Sequence, residues 1–244
     1  MSPPPALLTP PAPTRSHQTM RPAVTVRRAI PDDLGPLLFA LAEAFLQGPL
    51  AAWLVPSERD RRPVSYRYFR LVLQHAIKHG TVDTNADLSA VAVWYGCGEV
   101  PPAAEPDYQD ALEQATGDYA PKFLLLDAMF EAHHPRIPHD CLVLLAVDPL
   151  RQNRGLGTAL LSDGLRRLDE ANRAAYVVAR TERTRNLYLR LGYSQGPPLH
   201  LPSGGPLAWR MWRGQPNGGA CSTFPSAQPE LPSRSTGFTE TFLR

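Results

Sequence analysis

The chain is poor in cysteine: Cys97, Cys141 and Cys221 are all it has in 244 residues. An odd, scattered set gives no disulfide framework, and none of the three sits in the close Cys/His spacing of a zinc module. No apolar run approaches the roughly 20 residues that span a bilayer. The N-terminal stretch also lacks the apolar segment of a secretory signal. The net charge of +2 is too small to draw the chain to nucleic acid by charge alone. Internal repeats are missing, and so is the phosphate loop G-x-x-x-x-G-K-[ST] of nucleotide hydrolases. These absences predict a reducing, cytoplasmic setting (nuclear is also open), no metal, no nucleic acid and no membrane.

Proline, by contrast, is abundant, with 27 residues, densest between Pro3 and Pro22. Residues 1–22 show almost no periodic apolar pattern, and residues 214–244 are rich in Gly, Ser, Pro and Thr. Too little apolar surface is present in either to offset chain entropy, so both ends read as disordered tails. The remaining stretch, 23–213, has the core content of one domain.

Along that stretch the pattern is mixed α/β. Val24–Ala29 alternates like a strand. Pro31-Asp32-Asp33 opens a helix with the apolar face Leu37, Leu38, Leu41 and Phe45, and a second helix is predicted from Asp60 to His79. A hairpin turns near Asn85–Asp87, with Ser89–Tyr95 as its second strand. After a Gly/Pro loop, helices are predicted over 107–116 and 121–133. Leu142–Val147 is wholly apolar, as a strand buried on both faces would be. A long helix, a strand at Ala174–Ala179, a helix over Glu182–Leu191 stopped by Gly192, and a closing hairpin around Ser203-Gly204-Gly205 complete the order.

The most informative segment lies between the apolar strand and the long helix: Val147-Asp148-Pro149-Leu150-Arg151-Gln152-Asn153-Arg154-Gly155-Leu156-Gly157. Pro149 ends the strand, and Gly155 and Gly157 form the turn into a helix whose face carries Leu160, Leu165 and Leu168. Such a turn aims backbone N–H groups and the positive end of a helix dipole at one point, which suits phosphate oxygens. A dinucleotide fold would need a third glycine in G-x-G-x-x-G. The pattern present is Q/R-x-x-G-x-G/A, on Gln152, Gly155 and Gly157. The segment thereby resembles the acetyl-CoA pyrophosphate motif of the GNAT N-acetyltransferase superfamily.

That resemblance covers about 24–213 and implies the acyl-CoA N-acyltransferase fold, a central mixed sheet of about seven strands flanked by helices. It implies acetyl-CoA as co-substrate, held by the backbone of Leu145 and Val147 and by Gln152, Asn153, Arg154, Gly155, Leu156, Gly157 and Thr158. A second likeness, Asn186-Leu187-Tyr188-Leu189-Arg190-Leu191-Gly192-Tyr193, places Tyr188 on the tyrosine that serves as general acid in many members, protonating the departing thiolate. Family members often carry an Asn seven residues before that tyrosine, and here the position is Thr181. A looser likeness to puromycin-type small-molecule acetyltransferases rests on the His-Pro…Pro-His segment at 134–139 and on the closing hairpin.

No acid stands within the central strand to act as base. His139, His134, His133, Asp140 and Glu131 are the candidates, histidine fitting best by its intrinsic pKa. The acceptor pocket is expected from the first two helices, residues 96–140 and the closing hairpin. Trp53, Tyr66, Tyr68, Phe69, Trp94 and Tyr95 would then suit an apolar or aromatic amine. The expected activity is acetylation of a small-molecule primary amine by a monomer or homodimer. A protein or peptide acetyltransferase and a non-catalytic acyl-CoA-binding protein stay open as alternatives.

Overall fold

A computed structural model describes residues 24–97 and 107–215. The expected tails, 1–22 and 214–244, lie outside these except for 214 and 215. The element order is β1 (Val26–Arg28), α1 (Leu34–Phe45), α2 (Pro49–Leu54), α3 (Glu58–His79), β2 (Thr81–Asn85), β3 (Ala90–Cys97), α4 (Tyr108–Thr116), α5 (Ala120–Ala132), β4 (His139–Val147), α6 (Leu156–Glu170), β5 (Ala175–Ala179), α7 (Glu182–Arg190), β6 (Ser194–His200) and β7 (Leu207–Arg213). The seven strands form one sheet in the order β1-β2-β3-β4-β5-β7-β6. Every pairing is antiparallel except β4 with β5. The predicted mixed sheet of about seven strands is therefore present.

Apolar residues on both faces of the central strands explain the layering. Leu37, Leu41, Phe69 and Leu73 of α1 and α3 pack with Val91, Val93, Tyr95 and Cys141 on one face. On the other, Leu160, Leu161 and Leu165 of α6 and Tyr188 of α7 pack with Ala92, Trp94, Leu142 and Val177. A third cluster joins α2, α4 and α5 to the closing hairpin through Trp53, Leu112, Phe123, Phe130 and Leu199.

The differences from expectation are local. Helix α3 starts at Glu58 because the Ser57 side chain caps it by accepting from the Asp60 amide at 3.3 Å. Helix α2 went unforeseen, since six residues give too short a window for a 3.6-residue period. Strand β4 begins at His139, three residues before its apolar run. Strand β6 accommodates Pro197 and Pro198 because it is an edge strand, where a missing N–H costs no ladder bond.

Helix α6 lies so close to β3 that one position has no room for a side chain. A Cβ at Gly164 would stand 2.7 Å from Cζ2 of Trp94, which is 3% exposed. Gly164→Ala is expected to lower stability by about 1–3 kcal/mol, as overpacking of a filled core does. Denaturant unfolding measures it, and an unchanged midpoint would show that α6 can move off the sheet.

Candidate active site

The site begins with a fault in the sheet. Val93 pairs with Leu144 and Trp94 with Leu142, so Val143 is an extra residue, a bulge in β4. On the other side, β4 and β5 pair only from Asp140–Ala175 to Leu142–Val177. Past that point the two parallel strands diverge, and the β5 side of residues 143–147 carries no strand. A cavity of about 580 Å³ fills the gap. One limb reaches the turn after β4. The other runs under α1, α2, α3 and α5, where Phe45, Tyr68, Phe69 and Phe123 line it.

The turn limb is well ordered by its own side chains. The Asp148 carboxylate accepts from the Leu150 amide at 2.9 Å, and Gln152 Nε2 donates to the Val147 carbonyl at 3.2 Å. Asn153 and Gly155 take φ of +63° and +84°, a conformation that Gly155 reaches without the Cβ penalty. Helix α6 then starts at Leu156, and its first-turn N–H groups have no carbonyl of their own helix to bond. Of the residues predicted for acetyl-CoA, Leu145, Val147, Gln152, Asn153, Gly155, Leu156, Gly157 and Thr158 all line the cavity. Arg154 does not: its guanidinium turns back toward the Leu150 carbonyl at 3.5 Å. Arg183, in the first turn of α7, faces the cavity instead and donates to Asn153 Oδ1 at 2.7 Å. No motif marked Arg183. Only the fold brings the start of α7 beside the turn.

Tyr188 lines the cavity at the fork of the strands and is 4% exposed, its ring packed against Tyr193 at 5.5 Å. Burial raises its phenol above the ordinary value, against the opposing pull of the Arg180 charge. It therefore stays protonated at neutral pH. Arg180, just past β5, is the second charged side chain on the cavity that no sequence signal marked. Its guanidinium lies between the rings of Phe45 and Phe130, 5.5 and 5.9 Å from their centroids. One Nη reaches the carbonyl of the bulge residue Val143 at 3.4 Å, while Nε is buried without an acceptor. Burial lowers its pKa, yet an arginine stays charged. Among the described residues that line the cavity there are three arginines, 180, 183 and 190, and no Asp or Glu.

None of the base candidates lines the cavity. Asp140 is paired with Arg173, Glu131 with Arg136, and the His133 ring with the Met129 carbonyl. His134 and His139 are packed in the core beside Tyr176. With Cys97 they form a buried group whose possible ligand atoms lie within 4.8 Å of one another, near the end of β4 remote from the turn. The expected pocket aromatics also divide. Tyr68 and Phe69 face the cavity, whereas Trp53, Tyr66, Trp94 and Tyr95 do not, and the closing hairpin does not line it. The hairpin spends its apolar face on the cluster with α2 and α5.

Behind Tyr68 lies one more ionisable group. Asp127 is 5% exposed, accepts from Tyr108 Oη at 3.1 Å, and is raised by burial to about 7. The folded state thus holds this proton more tightly than the unfolded chain does. Its stabilising contribution is complete below the unfolded value of about 4 and is lost as pH rises to about 7. Asp127→Asn keeps the shape and removes the titration. Relative to the variant, the native protein is expected to lose up to about 4 kcal/mol across that window. Parallel pH profiles from denaturant unfolding would contradict it.

Comparison with known proteins agrees with the geometry. Residues 126–193 match the Acetyltransferase (GNAT) family. The fold is shared with a Corynebacterium glutamicum structure described as histone acetyltransferase HPA2 and related acetyltransferase, at TM-score 0.61 and 23% identity, covering 84% of this chain and 99% of that one. A mosquito arylalkylamine N-acetyltransferase like 5b superposes with TM-score 0.50 and 15% identity, covering 78% and 99%. A polyamine N-acetyltransferase of Drosophila melanogaster gives 0.50 and 19%, covering 78% and 99%.

Proposed function

We propose that this chain, which matches the Acetyltransferase (GNAT) family over residues 126–193 and shares the fold of such enzymes, moves the acetyl group of acetyl-CoA to the primary amine of a small molecule. The observation that carries this reading is one cavity lined at once by the glycine turn, by the aromatic residues of α1, α3 and α5, and by Tyr188. The turn limb offers amides, a helix N-terminus and Arg183 to a pyrophosphate. Between the limbs, the open edge of β4 at Leu145 and Val147 offers backbone groups to an extended, amide-bearing chain. The far limb is apolar and aromatic, and a cavity of this size suits a small ligand. A lysine-rich peptide or a polyamine would bring several positive charges to a lining that holds arginines and no carboxylate. The mosquito protein is named for arylalkylamines and the fly protein for polyamines. The lining here favours the aromatic type of acceptor.

The chemistry follows from position. A neutral amine in the far limb attacks the thioester carbonyl. The C–N bond forms, the C–S bond breaks, and the sulfur leaves as a thiolate that takes the Tyr188 proton. The nitrogen's surplus proton leaves through water, since no candidate base faces the cavity. A thiolate is a good leaving group, so a phenol of raised pKa contributes modestly.

Two outcomes test this reading. Tyr188→Phe removes only the hydroxyl, and turnover is expected to fall by about 10²-fold, the low end for general acid help, while CoA affinity holds. Thiol release followed with 5,5′-dithiobis(2-nitrobenzoate) measures it, and unchanged turnover would reduce Tyr188 to packing. Gly157→Glu is tolerated by the fold, because a Cβ there meets Val147 Cγ2 at an ordinary 3.5 Å. Its carboxylate would face the pyrophosphate and should weaken CoA binding about ten-fold or more. Calorimetry showing native affinity would move the pyrophosphate elsewhere.

A further inference from the structure

The far limb contains a charge that the acetyl-transfer reading does not use. Acetyl-CoA carries its negative charges on phosphates, which the turn and Arg183 would hold at the other limb. Its acetyl and thioester end is neutral. Arg180 nonetheless sits at the fork, sandwiched by Phe45 and Phe130, with Nε buried and unsatisfied. Among the described residues no carboxylate pairs with it. Its one recorded hydrogen bond, to the Val143 carbonyl, is long at 3.4 Å. A partly buried guanidinium without an anion leaves its desolvation uncompensated, and a pair with good geometry recovers much of that cost. The missing partner has room, because Arg180 borders the cavity.

We propose that Arg180 binds a carboxylate of the acceptor, so that the acceptor is an amino acid or similar amino-carboxylate with an apolar or aromatic body. This rests on the acetyl-transfer reading and narrows it. The planar guanidinium carries two Nη groups beyond the buried Nε, a fork that a carboxylate accepts with both oxygens. A singly charged carboxylate cancels one arginine. A phosphate dianion would leave a net charge buried among Phe45, Tyr68 and Phe123. The same contact explains the lack of acid in the limb: an aspartate there would compete for Arg180 and repel the ligand. The pairing also acts on the attacking group: a carboxylate held by Arg180 no longer stabilises the acceptor's own ammonium, so more of it stands as the reactive neutral amine.

The test uses the intact protein saturated with CoA and two product-like ligands, N-acetylphenylalanine and N-acetylphenethylamine, which differ by the carboxylate alone. Calorimetry is expected to give at least about ten-fold tighter binding of the first. Arg180→Met should abolish that preference, and Arg180→Lys should keep part of it, with CoA affinity serving as the check that both variants fold. Equal affinity of the two ligands in the native protein overturns the proposal even if no variant folds. An Arg180→Met variant that loses turnover on every amine alike, with its ligand preference intact, also overturns it and would assign the arginine to the oxyanion. Phenylalanine that binds through Arg180 yet releases no thiol from acetyl-CoA would overturn acetyl transfer and leave the carboxylate site standing. Thiol release from phenethylamine as fast as from phenylalanine does the reverse.

Discussion

The extra residue at Val143 is the constraint on which the molecule's use depends. A sheet of this order could close smoothly from β1 to β6, with all of β4 paired on both sides. The bulge between the Val93 and Trp94 pairings turns β4 away from β5 just where their ladder stops at Leu142 and Val177. Backbone left unpaired in a protein interior is expensive unless something else bonds to it. The gap is therefore a place built for a ligand with amides of its own. Most of what surrounds it, including the glycine turn, the two helix N-termini and the aromatic limb, is arranged along its edges.

The same fault separates two electrostatic jobs. On the turn side the positive potential comes from backbone amides and from Arg183, tied to Asn153 at 2.7 Å, and it is open to solvent. On the far side it comes from Arg180, enclosed by rings, where the local dielectric is low and a charge acts over a longer range. Among the described residues, the lining carries no Asp or Glu. Asp127, beside Tyr68, is raised by burial to about 7, so its negative charge is only partly present at neutral pH and fades below it.

How much of this was legible in the sequence depends on the distance over which each feature is determined. The strand, the glycine turn and the start of α6 follow from eleven consecutive residues, because their geometry is fixed by local φ/ψ freedom and by helix-end amides. Eight of the nine residues expected to meet acetyl-CoA line the cavity for the same reason. Arg154 is the exception, since a long side chain on an exposed turn has many places to go, and here it returns to its own backbone. The hairpin lies off the cavity because sequence order says nothing about which face a strand pair spends on the core. His134 and His139 lie off it too, and a titratable ring beside a strand looks alike in sequence whether it faces a cavity or, as here, Tyr176.

Arg180 was invisible for a deeper reason. In the sequence it is one more base between a strand and a helix cap, a position where arginines are common and solvated. Its meaning appears only when β5 ends at the fork and Phe45 of α1 and Phe130 of α5, distant in the chain, close over it. The same placement bears on the missing base. An enzyme that must deprotonate an ammonium can supply a proton acceptor, or it can make the ammonium less stable than the amine. A carboxylate base in the far limb would pair with Arg180 and neutralise both groups. Arg180, by pairing with the acceptor's own carboxylate, removes the negative charge that favours the ammonium, and water is left to carry the proton away. The absence of an acid from the lining and the presence of Arg180 within it are then two sides of one arrangement.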